Sequence, residues 1–149
     1  MVSQELESVM HIFLATSADN PHTVKIKEKL HSLGHTYYHF LDGDVKLDYD
    51  DIHHNLRNEN PTLQAALLKH PRIEMACASN TNAVRESDIF MLAEPASKGC
   101  YMEYGMAFAL RKPTILIVTP EYQIGVMDSM FKYTSSIELL DKTLKFIRA

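Results

Sequence analysis

Glu103 is the residue best placed to do chemistry, because it follows a polar loop and belongs to a stretch with helical spacing, residues 101–110. The loop contains Ser97 and Gly99, whose hydroxyl group and open backbone could approach a ligand. A carboxylate in this place can act as a nucleophile or stabilise a positive charge developing on a substrate. We expect Glu103 in the first turn of the helix, where the helix dipole would keep it ionised.

Two short apolar runs, residues 89–93 and 114–118, flank this loop and helix. They are bounded by turn signals, which is typical of buried parallel strands. Spacing along the helix predicts that one face is formed by Met102, Gly105, Met106 and Ala109. The segment therefore reads as a strand–loop–helix–strand crossover, and it places Glu103 in the crevice beyond the strand ends where α/β sheets bind ligands.

The start of the chain predicts a second part of the same crevice. Residues 10–15 read as a strand, 22–33 as a helix and 35–41 as another strand. The loop after the first strand contributes Thr16 and Ser17 at the same sheet edge. Their hydroxyl groups could donate hydrogen bonds to a substrate, and the following helix N-terminus favours an anion such as a phosphate.

The remaining segments complete an α/β pattern of about five strands. Helices are predicted at 61–69, 71–86 and 136–147, the last with Ser136 as its N-cap, while 127–133 reads as a short helix or irregular chain. Residues 42–60 read as an acidic loop leading to a short helix. Five aspartates suggest calcium, but the spacing lacks the glycine that an EF-hand loop requires.

Composition excludes several classes of protein. The 149 residues fit one domain, residues 1–149, and the net charge of −4 without a basic stripe argues against nucleic-acid polymers and membranes as partners. Cys77 and Cys100 are far apart in sequence, so we expect free thiols. The first ten residues hold two acids and no base, unlike a signal peptide. These features predict a cytoplasmic protein, and no Cys/His spacing predicts a metal site.

Residues 87–118 resemble the nucleoside 2-deoxyribosyltransferase family, including its nucleotide N-glycosidase relatives. The resemblance rests on an ordered set of residues: Asp88, Ser97, Gly99, Glu103, Gly105, Ala107, Ala109, Lys112 and Pro113. It implies a flavodoxin-like three-layer sandwich with a mostly parallel central sheet. It also implies cleavage or transfer, without a cofactor, at the N-glycosidic bond of a (deoxy)nucleoside or its 5′-monophosphate. Glu103 would then be the nucleophile.

The resemblance also implies roles for other residues. Asp88 would be a second catalytic acid, and Ser97 and Gly99 would contact the substrate. The protein would form a homodimer or a higher homo-oligomer. In it, a neighbouring subunit would help to close the site through residues such as Met127.

Two positions depart from the family pattern. Phe13 stands where a tyrosine is usual, and Asn80 stands where an aspartate is usual. Phe13 could pack against the sugar, and Asn80 could hydrogen-bond a base or hydroxyl, but neither can transfer a proton. The sequence does not choose among the acids that could compensate, which are Asp19, Asp42, Asp44 and Glu94.

These departures leave an alternative function open. The chain could be a nucleotide-binding or sensing protein of the same fold with weak or no turnover. A third reading, a partner-binding domain of two-component signalling, is disfavoured by the first loop. Such receivers place paired acids for magnesium after the first strand, whereas Thr16 and Ser17 stand there in this chain.

Overall fold

The computed structural model describes residues 8–42 and 61–148. Within these ranges, the strands are β1 (His11–Ala15), β2 (Thr36–Tyr38), β3 (Ile89–Ala93), β4 (Thr114–Ile117) and β5 (Tyr133–Ser135). The helices are α1 (Thr23–Ser32), α2 (Pro61–Leu68), α3 (Pro71–Glu86), α4 (Lys98–Ala109) and α5 (Leu140–Arg148). Two short 3-10 helices span Phe40–Asp42 and Val126–Met130. The predicted acidic loop and short helix, apart from Asp42, lie outside the described residues.

The five strands form one parallel sheet in the order β2-β1-β3-β4-β5. This is the flavodoxin-like order, and it confirms the predicted α/β fold class. Each crossover passes through a helix or a long connection, as parallel pairing requires. The carboxyl ends of β1, β3 and β4 therefore lie together at the middle of one sheet edge, where the direction of chain winding reverses.

Alternation along the strands produces two cores, one on each face of the sheet. Ile12, Met91 and Ile117 pack on the face covered by α1 and α5. Phe13, Phe90 and Leu116 pack on the other face, against α3 and α4. Strands β3 and β4 are buried along their whole length, because helices cover both of their faces. The predicted three-layer sandwich is confirmed.

The boundaries of several elements differ from the prediction. Strand β5 occupies residues 133–135, where no strand was predicted, and α5 begins at Leu140, four residues after the predicted start at Ser136. Ser136 instead accepts a hydrogen bond from the backbone N–H of Leu139, at 3.2 Å, in the turn before that helix. Strand β2 ends at Tyr38, because the next residue, His39, turns its ring into the core.

Helix α4 begins three residues earlier than expected and buries a different face. Ser97 caps it by accepting a hydrogen bond from Cys100 N at 3.4 Å. The buried side chains are Cys100, Tyr104 and Ala107, whereas Met102, predicted to share the apolar face, is 68% exposed. The Tyr104 ring stacks on Phe131, with centroids 4.2 Å apart, and this aromatic contact fixes the buried face.

Two sequence features have simple outcomes in the described residues. Both cysteines are free thiols, with Cys77 exposed and Cys100 buried. No helix among residues 8–42 and 61–148 combines the length and the apolar character needed to cross a membrane.

Candidate active site

Glu103 lies on the helix that follows the central strand β3, near the carboxyl edge of the sheet. Because α4 begins at Lys98, Glu103 occupies the second turn rather than the first. It neighbours the buried stripe of Cys100, Tyr104 and Ala107, so its side chain is half-buried against the sheet. The structure therefore turns Glu103 inward, toward the edge of the core.

Burial raises the pKa of Glu103 from its ordinary value of 4.5 to about 7. No hydrogen bond to its carboxyl group comes from the described part of the chain, so desolvation of the charged form acts without compensation. This corrects the expectation that a helix N-terminus would keep Glu103 fully ionised. The free backbone N–H groups belong to the first turn, and Glu103 lies beyond them.

Ser97, the N-cap of α4, and Gly99, in the first turn of that helix, lie near Glu103. A methyl group placed on Gly99 would stand 3.6 Å from Ser97 Oγ and 3.9 Å from Glu103 Oε1. All three residues thus border one small space at the start of α4. Glycine leaves that space open, so a ligand could reach the carboxyl group of Glu103 and the hydroxyl group of Ser97.

Asp88 lies at the opposite edge of the sheet. It precedes β3 and accepts a hydrogen bond from the backbone N–H of His11 at 2.8 Å, while its own N–H donates to the His11 carbonyl group at 2.7 Å. A strand of five residues separates this edge from the carboxyl edge, about 16 Å away. The structure thus places Asp88, predicted as a second catalytic acid, away from Glu103, where it joins the starts of β1 and β3.

The first loop uses its hydroxyl groups internally. Thr16 is fully buried, and its Oγ1 lies 2.7 Å from Thr23 Oγ1 and 2.8 Å from Nε2 of His39. Burial also lowers the pKa of His39 to about 4, so this ring is neutral at pH 7. Thr16 therefore supports the loop, and the expectation that it contacts a substrate is corrected.

Ser17 fastens the first loop to the loop after β3. Its Oγ lies 2.8 Å from Asp19 Oδ1 and 2.8 Å from the Pro95 carbonyl oxygen, so its single proton is engaged. Asn20 reinforces this junction by donating to the carbonyl groups of Ala93 and Pro95, at 3.1 and 3.0 Å. The two loops are held together as one unit, and Ser17 acts as a tether between them.

Phe13 and Asn80 lie on the same face of the sheet as α4, joined by a residue that the sequence did not single out. The Phe13 ring is buried between Tyr38 and Phe90, with centroids 5.4 Å away on each side. Tyr38 donates its phenolic hydrogen to Asn80 Oδ1 at 2.6 Å. Phe13 is therefore a core residue, which corrects its predicted contact with a sugar. Tyr38 lies opposite Phe13 in the parallel register of β1 and β2, so it could be identified only once the pairing of these two strands was known.

An open cavity of about 700 Å³ lies at the carboxyl edge, where the start of α1 meets the loops after β3 and β4. Its lining includes Pro21, His22, Glu94, Pro95, Glu121 and Tyr122. Glu103 is not among the lining residues, because α4 packs on the other face of the sheet from α1. The edge therefore carries two features, the space beside Glu103 and this cavity.

The structure gives different surroundings to the acids that could replace the missing aspartate. Asp42 pairs with Lys27 at 2.7 Å, and exposed Asp19 accepts from Ser17. Glu94 borders the cavity and accepts a hydrogen bond from the Tyr101 hydroxyl group. Asp44 lies outside the described residues. Residues 8–42 and 61–148 contain no group of three His, Cys, Asp or Glu side chains that could hold a metal ion.

Met127 lies away from the strands, in the 3-10 helix between β4 and β5, and is 70% exposed. Its neighbours Ile124 and Val126 are also exposed, at 70% and 90%. Met127 thus presents an apolar side chain to the surroundings of the molecule.

Comparison with known proteins supports the fold. No family model and no curated protein sequence matches the chain. A solved CMP N-glycosidase, BcmB from Clostridium botulinum, is similar over 91% of this chain and 98% of its own, with 15% identity and a TM-score of 0.51. A 2-deoxyribosyltransferase from Bacillus psychrosaccharolyticus is similar over 88% and 90%, with 18% identity and a TM-score of 0.54. At such identities these likenesses establish a shared fold.

Proposed function

We propose that the chain cleaves or transfers the N-glycosidic bond of a (deoxy)nucleoside or its 5′-monophosphate, with Glu103 as the nucleophile. The observation that carries this proposal is the half-buried Glu103 carboxyl group, whose pKa is raised to about 7. A strongly perturbed acid near a ligand-binding sheet edge is typical of a functional site. The names of the two structural neighbours describe N-glycosidic chemistry on the same fold.

A glutamate nucleophile implies a two-step reaction. An oxygen of ionised Glu103 attacks C1′ while the C1′–N bond breaks, and the base leaves with the electron pair of that bond and takes a proton from solvent. Positive charge builds on the sugar in the transition state, and a desolvated carboxylate nearby stabilises it. Water or a second base then attacks C1′, releases the Glu103 carboxylate and loses a proton. The product is a free sugar or a new nucleoside.

A raised pKa suits this role. About half of the Glu103 side chains are ionised at a pH equal to the pKa, near 7. The carboxylate is a stronger base than an ordinary one, and its poor solvation favours bond formation with a cationic sugar carbon. Ser97 and Gly99, which border the same space, could contact a sugar hydroxyl group or a phosphate.

The alternative, a binding or sensing protein with little turnover, is favoured by the residues around Phe13. Phe13 is buried, and Asn80 is held by the Tyr38 hydroxyl group. Neither position supplies a proton-transfer group, whose loss typically lowers rates by about 10²–10⁴-fold. Such a protein would bind nucleotides beside Glu103 and release base slowly or not at all.

The test is to incubate the purified protein with deoxynucleosides, ribonucleosides and their monophosphates, and to measure free base by chromatography. The expected result is base release by the wild-type protein that Glu103→Gln abolishes. Glu28→Gln, a matched change at an exposed residue of α1, should leave release unchanged. Saturable binding of a nucleoside or nucleotide without any release of free base would favour the sensing protein over the enzyme. Release that persists in Glu103→Gln would remove Glu103 from the mechanism.

We also propose a homo-oligomer in which a second copy covers the apolar surface of Ile124, Val126, Met127 and Met130. These side chains adjoin Phe131, which stacks on Tyr104 of α4, so the surface continues from the helix that carries Glu103. An apolar patch of this kind is typical of an interaction site.

The free thiols of the chain fit a reducing compartment such as the cytoplasm.

A further inference from the structure

His39 is a buried histidine that the proposed reaction at Glu103 does not use. It follows β2 and turns its ring into the protein, where it is fully buried. We propose that His39 is a positioning residue, whose ring sets the first loop, residues 16–20, in the form that holds the loop leading to Glu103. The hydrogen bonds of His39 stand on their own geometry, while their consequence for catalysis rests on the proposed function.

The contacts of the His39 ring assign the position of its proton. The backbone N–H of Leu41 donates to His39 Nδ1 at 3.4 Å, so Nδ1 is the acceptor. Burial, with a smaller effect of Lys27, lowers the pKa of His39 to about 4, and the ring is neutral at pH 7. A neutral imidazole has one N–H group, which is therefore on Nε2, 2.8 Å from Thr16 Oγ1. His39 thus donates to Thr16.

Thr16 extends this contact to the start of α1. Its side chain is fully buried, so its own hydroxyl proton needs an acceptor, and Thr23 Oγ1 lies 2.7 Å away. His39, Thr16 and Thr23 thus form a chain in which the ring proton and the Thr16 proton each have one direction. The chain joins the ends of β2 and β1 to the first residue of α1, and the first loop runs between Thr16 and Thr23.

The first loop in turn holds the loop after β3. The Pro95 carbonyl oxygen lies 3.0 Å from Ser17 N, 2.8 Å from Ser17 Oγ and 3.0 Å from Asn20 Nδ2, and it accepts from these donors. Pro95 lies two residues before Ser97, which caps the helix that carries Glu103. A shift of the first loop would therefore move the start of α4, and small displacements of a reacting group lower rates strongly.

Two variants separate this positioning role from simple packing. His39→Leu fills a similar space without a donor, and an apolar side chain there would avoid the cost of burying a polar ring. His39→Gln keeps an N–H group near the place of Nε2. Packing alone predicts that leucine is tolerated at least as well as glutamine, whereas the hydrogen-bond chain predicts the reverse.

The first measurement is amide hydrogen exchange of Ser17, whose N–H donates to Pro95 and so reports on the junction of the two loops. His39→Leu should speed this exchange at least about tenfold, because a buried hydrogen bond is lost, while His39→Gln should keep the protection of the wild type. The amides of β4 are the internal reference, since a general loss of stability would speed their exchange as well.

Thr16→Val tests the same chain from its middle, and it carries the test if His39→Leu does not fold. It should speed Ser17 exchange as much as His39→Leu does, and the double variant should add little, because both changes break one chain. Thr36→Val is the matched control. It removes a hydroxyl–histidine contact with His11, at 2.7 Å, at the opposite edge of the sheet, and it should leave Ser17 exchange unchanged.

The second measurement is kcat/KM in the base-release assay. It should fall at least about tenfold in His39→Leu and in Thr16→Val, and less than about threefold in His39→Gln. Thr36→Val should leave it unchanged.

Three results would overturn the proposal. The first is Ser17 exchange in His39→Leu and Thr16→Val equal to that of the wild type, and the second is a loss of protection in His39→Gln as large as in His39→Leu. The third is faster exchange with unchanged kcat/KM, which would confine His39 to stability. Absence of base release by the wild type would refute the proposed function, while Ser17 exchange would still decide whether His39 positions the loop.

Discussion

Replacing Glu103 by glutamine is expected to make the protein more stable above pH 7 while abolishing base release. Burial raises the pKa of Glu103 from 4.5 to about 7 in the folded protein. Below pH 4.5 the folded and unfolded chains both hold the proton, so the group has no effect on stability. As the pH rises to about 7, the unfolded chain ionises first, and the free energy of unfolding falls. Above pH 7 the penalty is constant.

The size of this penalty follows from the shift in pKa. Each pH unit between 4.5 and about 7 is worth about 1.4 kcal/mol, so ionised Glu103 costs roughly 3 kcal/mol of stability at pH 8. Glutamine has nearly the same shape and does not titrate. Its amide N–H groups need partners and offset part of the gain. That cost is the same at every pH, so the change in the stability difference between pH 5 and pH 8 isolates the carboxyl group.

The measurement is urea unfolding of wild type and Glu103→Gln at pH 5, 6, 7 and 8, at one protein concentration. The stability gap between variant and wild type should widen by roughly 2–3 kcal/mol from pH 5 to pH 8. Glu28→Gln is the control, because exposed Glu28 has no such burial and should give a nearly constant gap. A gap that is equally constant for Glu103→Gln would refute the reasoning that burial holds the Glu103 proton.

Four further outcomes are expected. If ionised Glu103 is the nucleophile, kcat/KM for base release should rise with pH and level off above about 7, and a profile that falls over this range would favour a general-acid role. Gly99→Ala should lower kcat/KM, because the added methyl group would stand 3.9 Å from Glu103 Oε1 in the open space. It should leave stability unchanged or raise it, because alanine favours a helix more than glycine does. Unchanged kinetics would show that the substrate does not use that space. Asp88→Ala should lower the free energy of unfolding by about 1 kcal/mol and change kcat less than about threefold, and a loss comparable to that of Glu103→Gln would return it to the site. In light scattering, Val126→Asp should reduce the mass of the oligomer and Val24→Asp on α1 should not; equal masses for both would exclude the proposed surface.

The order of elements could be predicted from the sequence because each buried strand is a short apolar run between turn signals. Residues 89–93 and 114–118 match β3 and β4 almost residue for residue. Strand β5 was missed because it has only three residues, Tyr133–Ser135, and its position depends on pairing with β4 rather than on its own pattern. Local sequence carries no information about such a pairing.

The region of the candidate site was also within reach of the sequence. A loop with Ser97 and Gly99 before a helix carrying an acid pointed to the carboxyl edge, and the structure brings these residues together. The sequence could not predict which other residues lie close to Glu103. Asp88 lies directly before β3 and the loop with Ser97 lies directly after it, so the length of the strand holds Asp88 and the loop about 16 Å apart. Thr16 looked available in the sequence, but its hydroxyl group is buried against Thr23 and His39.

The sequence by itself determined that Glu103 follows the central strand on a helix, since hydrophobic spacing and turn residues specify local elements. Only the tertiary structure decided how strongly the Glu103 carboxyl group holds its proton. A carboxyl group in the first turn of an exposed helix would be ionised at pH 7, whereas Glu103 lies one turn further in, half-buried beside Cys100 and Tyr104, with its pKa raised to about 7. Desolvation depends on every element packed around a side chain, and that environment exists only once the chain has folded.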